Sequence, residues 1–282
     1  MRAGGRIVKC RLRMMVAALI VFSLFSARLP AQTIASEEMN LGAQAYRSGK
    51  YDEAIRHFER CVALAPENTV AHLYLATAYA QQYIPGADTH DNNRFAEQAI
   101  DQYQHVLDGN PASSTRISSV KGIAYLYLQM KRFDDSKKYY RMAADLDPDD
   151  PENYYSMGVI DWTQTYVPRQ EMRAELGMKP ADALSAKDKR ACAETKERNT
   201  VLVQEGIDNL NKALQLRPDY DDAMAYMNLM YCERADIQCE DPAAREADLK
   251  TADDWADKTM ATKKAKAQKA PQTTKPAATN PQ

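Results

Sequence analysis

The sequence predicts an all-α protein, a helical solenoid built from repeated helix-turn-helix units. Three observations carry that expectation. Only ten glycines occur in 282 residues, and Ala, Leu, Lys, Glu, Gln and Met are abundant, which favours helix over sheet. A pattern of small, aromatic and proline residues returns along the chain at fixed offsets, the signature of an array of supersecondary units. Each return closes on a proline, at Pro66, Pro111, Pro148 and Pro218, where a helix has to stop.

Length and charge set the outer bounds. A chain of 282 residues can bury a continuous core. Its 37 basic and 39 acidic residues leave a formal charge of -2, so no global field draws nucleic acid or an anionic membrane. Any partner must be recognised locally.

The first segment has its own logic. Arg2, Arg6, Lys9, Arg11 and Arg13 precede an apolar run over 14–25 that ends near Leu29, Pro30 and Ala31, the pattern of a secretory signal peptide at 1–31. The run is about a dozen residues, short of the roughly 20 that a spanning helix needs. Cleavage after Ala31, or after Ala35, is therefore expected in preference to an inner-membrane anchor. The expected location is periplasmic or secreted, with no stable membrane insertion once the signal is removed.

The clearest repeat is LGAQAYRSGKYDEAIRHFERCVALAPEN, over 41–68. Leu41 and Gly42 allow close helix packing, Tyr51 and Ala54 open the second helix, Phe58 and Cys61 face the core, and Pro66 ends it. The same ending recurs as FAEQAIDQYQHVLDGNP, FDDSKKYYRMAADLDP and VQEGIDNLNKALQLRP. These residues strongly resemble tetratricopeptide repeats. The resemblance implies a right-handed solenoid of about five TPR-like units over 32–263, with repeats at about 35–68, 69–112, 117–150, 151–219 and 221–263. More narrowly, GVIDWTQTY and RPDYDDAMAYMNLMY resemble segments of secreted bacterial repeat proteins of unknown role, a likeness that supplies no function.

The family period is about 34 residues, and the intervals between the closing prolines exceed it by about 11, 3 and 36. Counting back from each proline places the large excesses between helix A and helix B, as inserts at about 84–94 and 166–200. A fifth helix A, DDAMAYMNLMYCERA, also precedes an enlarged connection. Such loops line one edge of a solenoid, where insertions often form binding surface. Within the long insert, RQEMRAELG and ALSAKDKRACAETKERN read as a small helical appendage. From 264 to 282 the chain turns to Lys, Ala, Thr, Pro and Gln and reads as a disordered tail, its lysines solvated.

No catalytic constellation is present in the sequence. It has no H-E-x-x-H, no G-x-S-x-G, no phosphate-binding glycine loop and no C-x-x-C-H. His57 and Cys61 lie four apart, and Asp88, His90 and Asp91 cluster in the first insert, but neither set has the ligand count of a metal site. The expectation is a protein without catalysis, metal or cofactor.

Removal of the signal takes Cys10 and leaves Cys61, Cys192, Cys232 and Cys239 in a compartment that permits disulfides. Cys61 occupies a helix B position with a packing role, and Cys232 lies in the fifth helix A. Cys192 and Cys239 fall in two non-repeat segments on the same edge, so a Cys192–Cys239 bridge is expected. The rival is a short Cys232–Cys239 loop.

The resemblance also implies a concave groove lined by the A helices. Its positions carry Tyr46, Arg47, Tyr74, Thr77, Gln81, Lys121, Tyr125, Gln129, Tyr155, Val159, Trp162, Tyr226 and Leu229. Aromatic side chains suit recognition because they bury large area and keep a polar atom, although the same rings can simply pack between helices. Arg47 and Lys121 are the clear cations, and asparagines do not fall at the family's carboxylate-clamp positions, which disfavours chaperone-tail binding. The expected function is a scaffold or adaptor in the bacterial cell envelope that holds a protein or peptide. The alternative is a binding protein for a glycan or cell-wall fragment.

Overall fold

The computed structural model describes residues 32–179 and 182–269. The expected signal peptide, and the tail from 270 onward, lie outside the described residues. Among the described residues the regular elements are all helices. Helix α1 spans 32–47 and α2 Tyr51–Leu64, followed by α3 Thr69–Gln82, α4 His90–Asp108, α5 Ser113–Gln129 and α6 Phe133–Leu146. Then come α7 Pro151–Glu175, α8 Leu184–Lys187, α9 Lys189–Leu216, α10 Asp221–Asp236 and α11 Pro242–Lys269. The all-α repeat fold expected from the sequence is the fold observed. The chain divides into two compact units, the first ending at Tyr139 and the second beginning at Tyr140, within α6.

In the first unit, helix packing follows the repeat pattern. Ala54, Ile55, Phe58 and Cys61 recur at helical spacing on α2 and are buried. Gly42 on α1 makes room for Phe58, since a Cβ there would lie 2.5 Å from the Phe58 ring. Leu75, Tyr79, Ala99, Tyr103, Ile123 and Leu126 complete one apolar core. Asn68 starts α3 by accepting from the N–H groups of Val70 and Ala71, at 3.1 and 3.2 Å. Pro66 does more than stop α2, because its carbonyl meets His72 Nε2 at 2.9 Å.

The first insert is shorter than the expected 84–94, because α4 begins at His90. One buried side chain closes the remaining loop. Asn92 Oδ1 accepts from Ile84 N at 2.7 Å, while its Nδ2 donates to the carbonyls of Ile84 and Ala87 at 2.9 and 2.7 Å. An amide can do this because it carries donor and acceptor together.

In the second unit the segment expected as an appendage, 166–200, mainly prolongs the repeat helices. Helix α7 starts at Pro151 under an Asp150 cap and runs for 25 residues, and α9 runs for 28. Pro168 sits inside α7, where its missing N–H leaves the Gln164 carbonyl without its usual donor. Tertiary packing outweighs that loss, for α7 lies against both α9 and α10. Gly158 permits close contact with α9, since a Cβ there would lie 2.6 Å from Leu210 Cγ.

Helix α11 continues to Lys269, so residues 264–269, expected to be disordered, are helical. Lys266 Nζ pairs with Asp221 Oδ1 at 2.5 Å, which gives that end of the helix a reason to stay wound. Cys192 and Cys239 are bonded, S–S 2.13 Å, across a sequence separation of 47, while Cys61 and Cys232 are free thiols.

Candidate partner-binding surface

The residues expected to line a groove behave differently in the two units. In the first, Tyr74 and Tyr125 are 41 and 50 % exposed, and Arg47 and Gln81 are also exposed. Their helices space them along single faces. Tyr74, Thr77 and Gln81 fall at i, i+3 and i+7 on α3, and Lys121, Tyr125 and Gln129 at i, i+4 and i+8 on α5. Beneath them the face is pinned. Thr77 Oγ1 donates to Leu73 O at 2.8 Å and meets the Tyr103 hydroxyl at 3.4 Å. Tyr46, half-buried on α1, packs edge-on to Tyr51 at 5.3 Å and hydrogen-bonds Gln81, and burial raises its phenol above the ordinary range.

In the second unit the corresponding rings pack on one another. Tyr155 lies 4.9 Å from Tyr220 and 5.7 Å from Tyr226, and Trp162 meets Tyr226 edge-on at 5.3 Å. Trp162 also stacks on Tyr166 at 4.6 Å. These aromatic centroid distances are those of favourable ring pairs. Tyr155, Trp162 and Tyr226 pack further against the core of Val203, Leu210 and Met227. The Trp162 indole nitrogen is buried without a hydrogen-bond partner among the described residues. Val159 and Leu229 are half-buried.

Beyond Trp162 the buried surface of α7 becomes ionic. Arg169 donates through Nε and Nη2 to the two oxygens of Glu233, both at 2.7 Å, and through Nη1 to Asp236 at 2.7 Å. Arg173 reaches Asp236 at 3.2 Å and the Lys179 carbonyl at 2.6 Å. Burial pushes the Glu233 carboxyl up despite its guanidinium partner. Sequence reasoning missed this cluster, because its partners stand more than 60 positions apart and outside any repeat position.

The polar residues considered for metal binding stay apart. His57 Nδ1 meets Glu38 Oε2 at 2.6 Å, and Cys61 is buried beside it in the core. His90 and Asp91 are exposed at the start of α4, with Arg94 close to Asp91 at 3.6 Å. Among the described residues no group of three His, Cys, Asp or Glu side chains could hold a metal ion, and no helix is long and apolar enough to cross a membrane.

Two family models for the tetratricopeptide repeat match the chain, over residues 37–68 and 122–150. Among solved structures the fold is similar to that of MamA protein, with a TM-score of 0.56 and 13 % identity over 84 % of this chain and 96 % of that one. It is also similar to MamA from Desulfovibrio magneticus RS-1, with a TM-score of 0.54 and 16 % identity over 82 % of this chain and 96 % of that one. At these identities the likeness concerns the fold. No curated protein matches the sequence. The matched repeats, the helical pairs and the shared fold have one reading, and the chain is a tetratricopeptide-repeat protein.

Proposed function

We propose that the protein is a non-catalytic scaffold of the bacterial cell envelope that holds a protein or peptide partner on the A-helix face of its first unit. The observation that carries this reading is the exposure of Tyr74 and Tyr125 over a rigid base, beside Arg47, Gln81 and Lys121. Large rings with little conformational entropy to lose are efficient anchors, and flanking polar groups fix register. The envelope assignment draws on the basic and apolar pattern of 1–31 and on the Cys192–Cys239 bond, which persists in oxidising compartments.

The same exposed rings would suit sugar stacking, so the test has two arms. Protein purified from the periplasm is used to capture partners from envelope extract and is screened in parallel against glycans and cell-wall fragments. Tyr74→Ala combined with Tyr125→Ala should abolish recovery of a defined protein partner while leaving helix content unchanged. Binding confined to glycans would replace the scaffold reading, and undiminished capture by the double variant would remove the surface from it.

A further inference from the structure

Helix α11 has two faces of different character. Asp248, Ala252 and Thr259 lie on the buried face. That face meets α10 through Asn228 Nδ2, which donates to the Ala252 carbonyl at 2.8 Å, and through Lys266, which pairs with Asp221. The opposite face carries Asp253, Asp257, Met260 and Lys264, at i, i+4, i+7 and i+11, and all four are exposed. Met260 is the most exposed large apolar side chain among the described residues, at 72 %. A single exposed methionine is ordinary on a protein surface. What distinguishes this one is its place between charges of opposite sign. Asp257 and Lys264 make no ion pair or hydrogen bond among the described residues, whereas the flanking Lys263 and Lys266 are engaged by Asp221.

Asp257 and Lys264 stand equally far from a point between Met260 and Ala261, about 5 Å to either side along the helix axis. A twofold axis through that point, with a second α11 running antiparallel, sets Asp257 of each copy opposite Lys264 of the other. It also brings the two Met260 side chains together at the centre, where the neighbouring Ala261 adds no bulk. This is the self-complementarity that an isologous contact requires. We propose that the outward face of α11 forms a homodimer contact, by antiparallel pairing with α11 of a second copy of this chain. A partner charged with one sign throughout, acidic or basic, would be repelled by part of the face. The contact is one helix wide and exposed ion pairs add little each, so the dimer is a weak one that salt loosens. The surface is separate from the A-helix face of the first unit, and neither reading depends on the other.

Sedimentation velocity of the purified protein over a concentration series, in low salt and in about 0.5 M sodium chloride, measures the association. The native protein should dimerise reversibly, and high salt should weaken the dimer several-fold. Asp257→Lys and Lys264→Asp should each weaken self-association by about tenfold or more, since like charges then meet at both symmetry-related positions. An equimolar mixture of the two variants should pair as native protein does, because a face of lysines then meets a face of aspartates. A purely structural role of these residues would not produce that rescue. Helical circular dichroism checks that each variant is folded. Should one unfold, crosslinking decides, for a short bismaleimide should join two copies of Met260→Cys and not two copies of Val201→Cys, an exposed control position on α9. A native chain that stays monomeric at every concentration, folded reversal variants that dimerise as native, a mixture no tighter than either variant alone, or equal crosslinking of the two cysteine variants would each overturn the proposal.

Discussion

The two units solve one packing problem with different chemistry. In the first, α1 to α5 close on an apolar core in which Phe58, Tyr103, Ile123 and Leu126 interdigitate with alanines. In the second, an apolar core around Leu210 and Met227 gives way along α7 to Arg169, Arg173, Glu233 and Asp236, with the Cys192–Cys239 bond alongside. An apolar interface tolerates loss of one partner in proportion to the cavity left behind. An ionic interface does not, because removing one partner strands a buried charge. The groove rings divide in the same way, for Tyr74 and Tyr125 keep 41 and 50 % exposure in the first unit, whereas Tyr155, Trp162 and Tyr226 pack on one another in the second.

The largest effects should expose that asymmetry. Glu233→Ala is expected to destabilise the protein by about 3–5 kcal/mol, since Arg169 stays buried with its main partner gone. Replacing both Arg169 and Glu233 by methionine should recover most of the loss or exceed the native stability, measured by urea unfolding. Phe58→Ala should cost a similar 3–5 kcal/mol, but through a cavity that no second deletion repairs. A Glu233→Ala loss that the double methionine replacement fails to recover would erase the distinction.

Removing the disulfide comes next. Replacing Cys192 and Cys239 together by serine should cost about 2–4 kcal/mol, because a long closed loop regains its unfolded-chain freedom. Hydrogen exchange should quicken in α9 and the end of α10 and stay unchanged in α2 to α5. Uniform quickening would mean that the bond supports the whole chain.

Smaller again is the contrast among the aromatic residues. Trp162→Ala should destabilise on the order of 2 kcal/mol, as it removes a stacked and an edge-on partner. Tyr125→Ala, at an exposed position, should change stability by no more than about 0.5 kcal/mol. A neutral Trp162→Ala would show that its ring is surface rather than packing.

The smallest effect is titration in the first unit. The hydrogen bond from His57, aided by Arg60, holds the Glu38 carboxyl below the usual carboxylate range. A carboxyl depressed in the folded state contributes stability that is complete above its unfolded value and is lost as pH falls through the folded one. Exchange protection between α1 and α2 should therefore weaken below about pH 4. Glu38→Gln should flatten that dependence.

Much of this was legible in the sequence, and the failures have physical causes. Gly42 and Phe58 stood in a repeat pattern, so their contact could be foreseen from local spacing. The length of α7 could not, because Pro168 reads as a stop until packing on two neighbouring helices outweighs the lost hydrogen bond. Asn92 gave no advance signal, for an asparagine that clasps its own loop has the same composition as a solvated one. Groove positions carried over from the repeat could name Tyr74 and Trp162 alike. The folded chain separates them, for Trp162 is half-buried between Tyr166 and Tyr226, whereas Tyr74 leans on the one ring of Phe58 and stays 41 % exposed.

The central claim is that partners meet the protein on the A-helix face of the first unit. Its most direct test is site-specific photocrosslinking in living cells, with a benzoylphenylalanine placed in turn at Tyr74, Tyr125, Tyr226 and Val201. Val201 serves as an exposed control on α9, at 64 % exposure. The account predicts the same discrete protein adduct from Tyr74 and Tyr125 and none from Tyr226 or Val201. Adducts from Tyr226 or Val201 with none from Tyr74 and Tyr125 would contradict it.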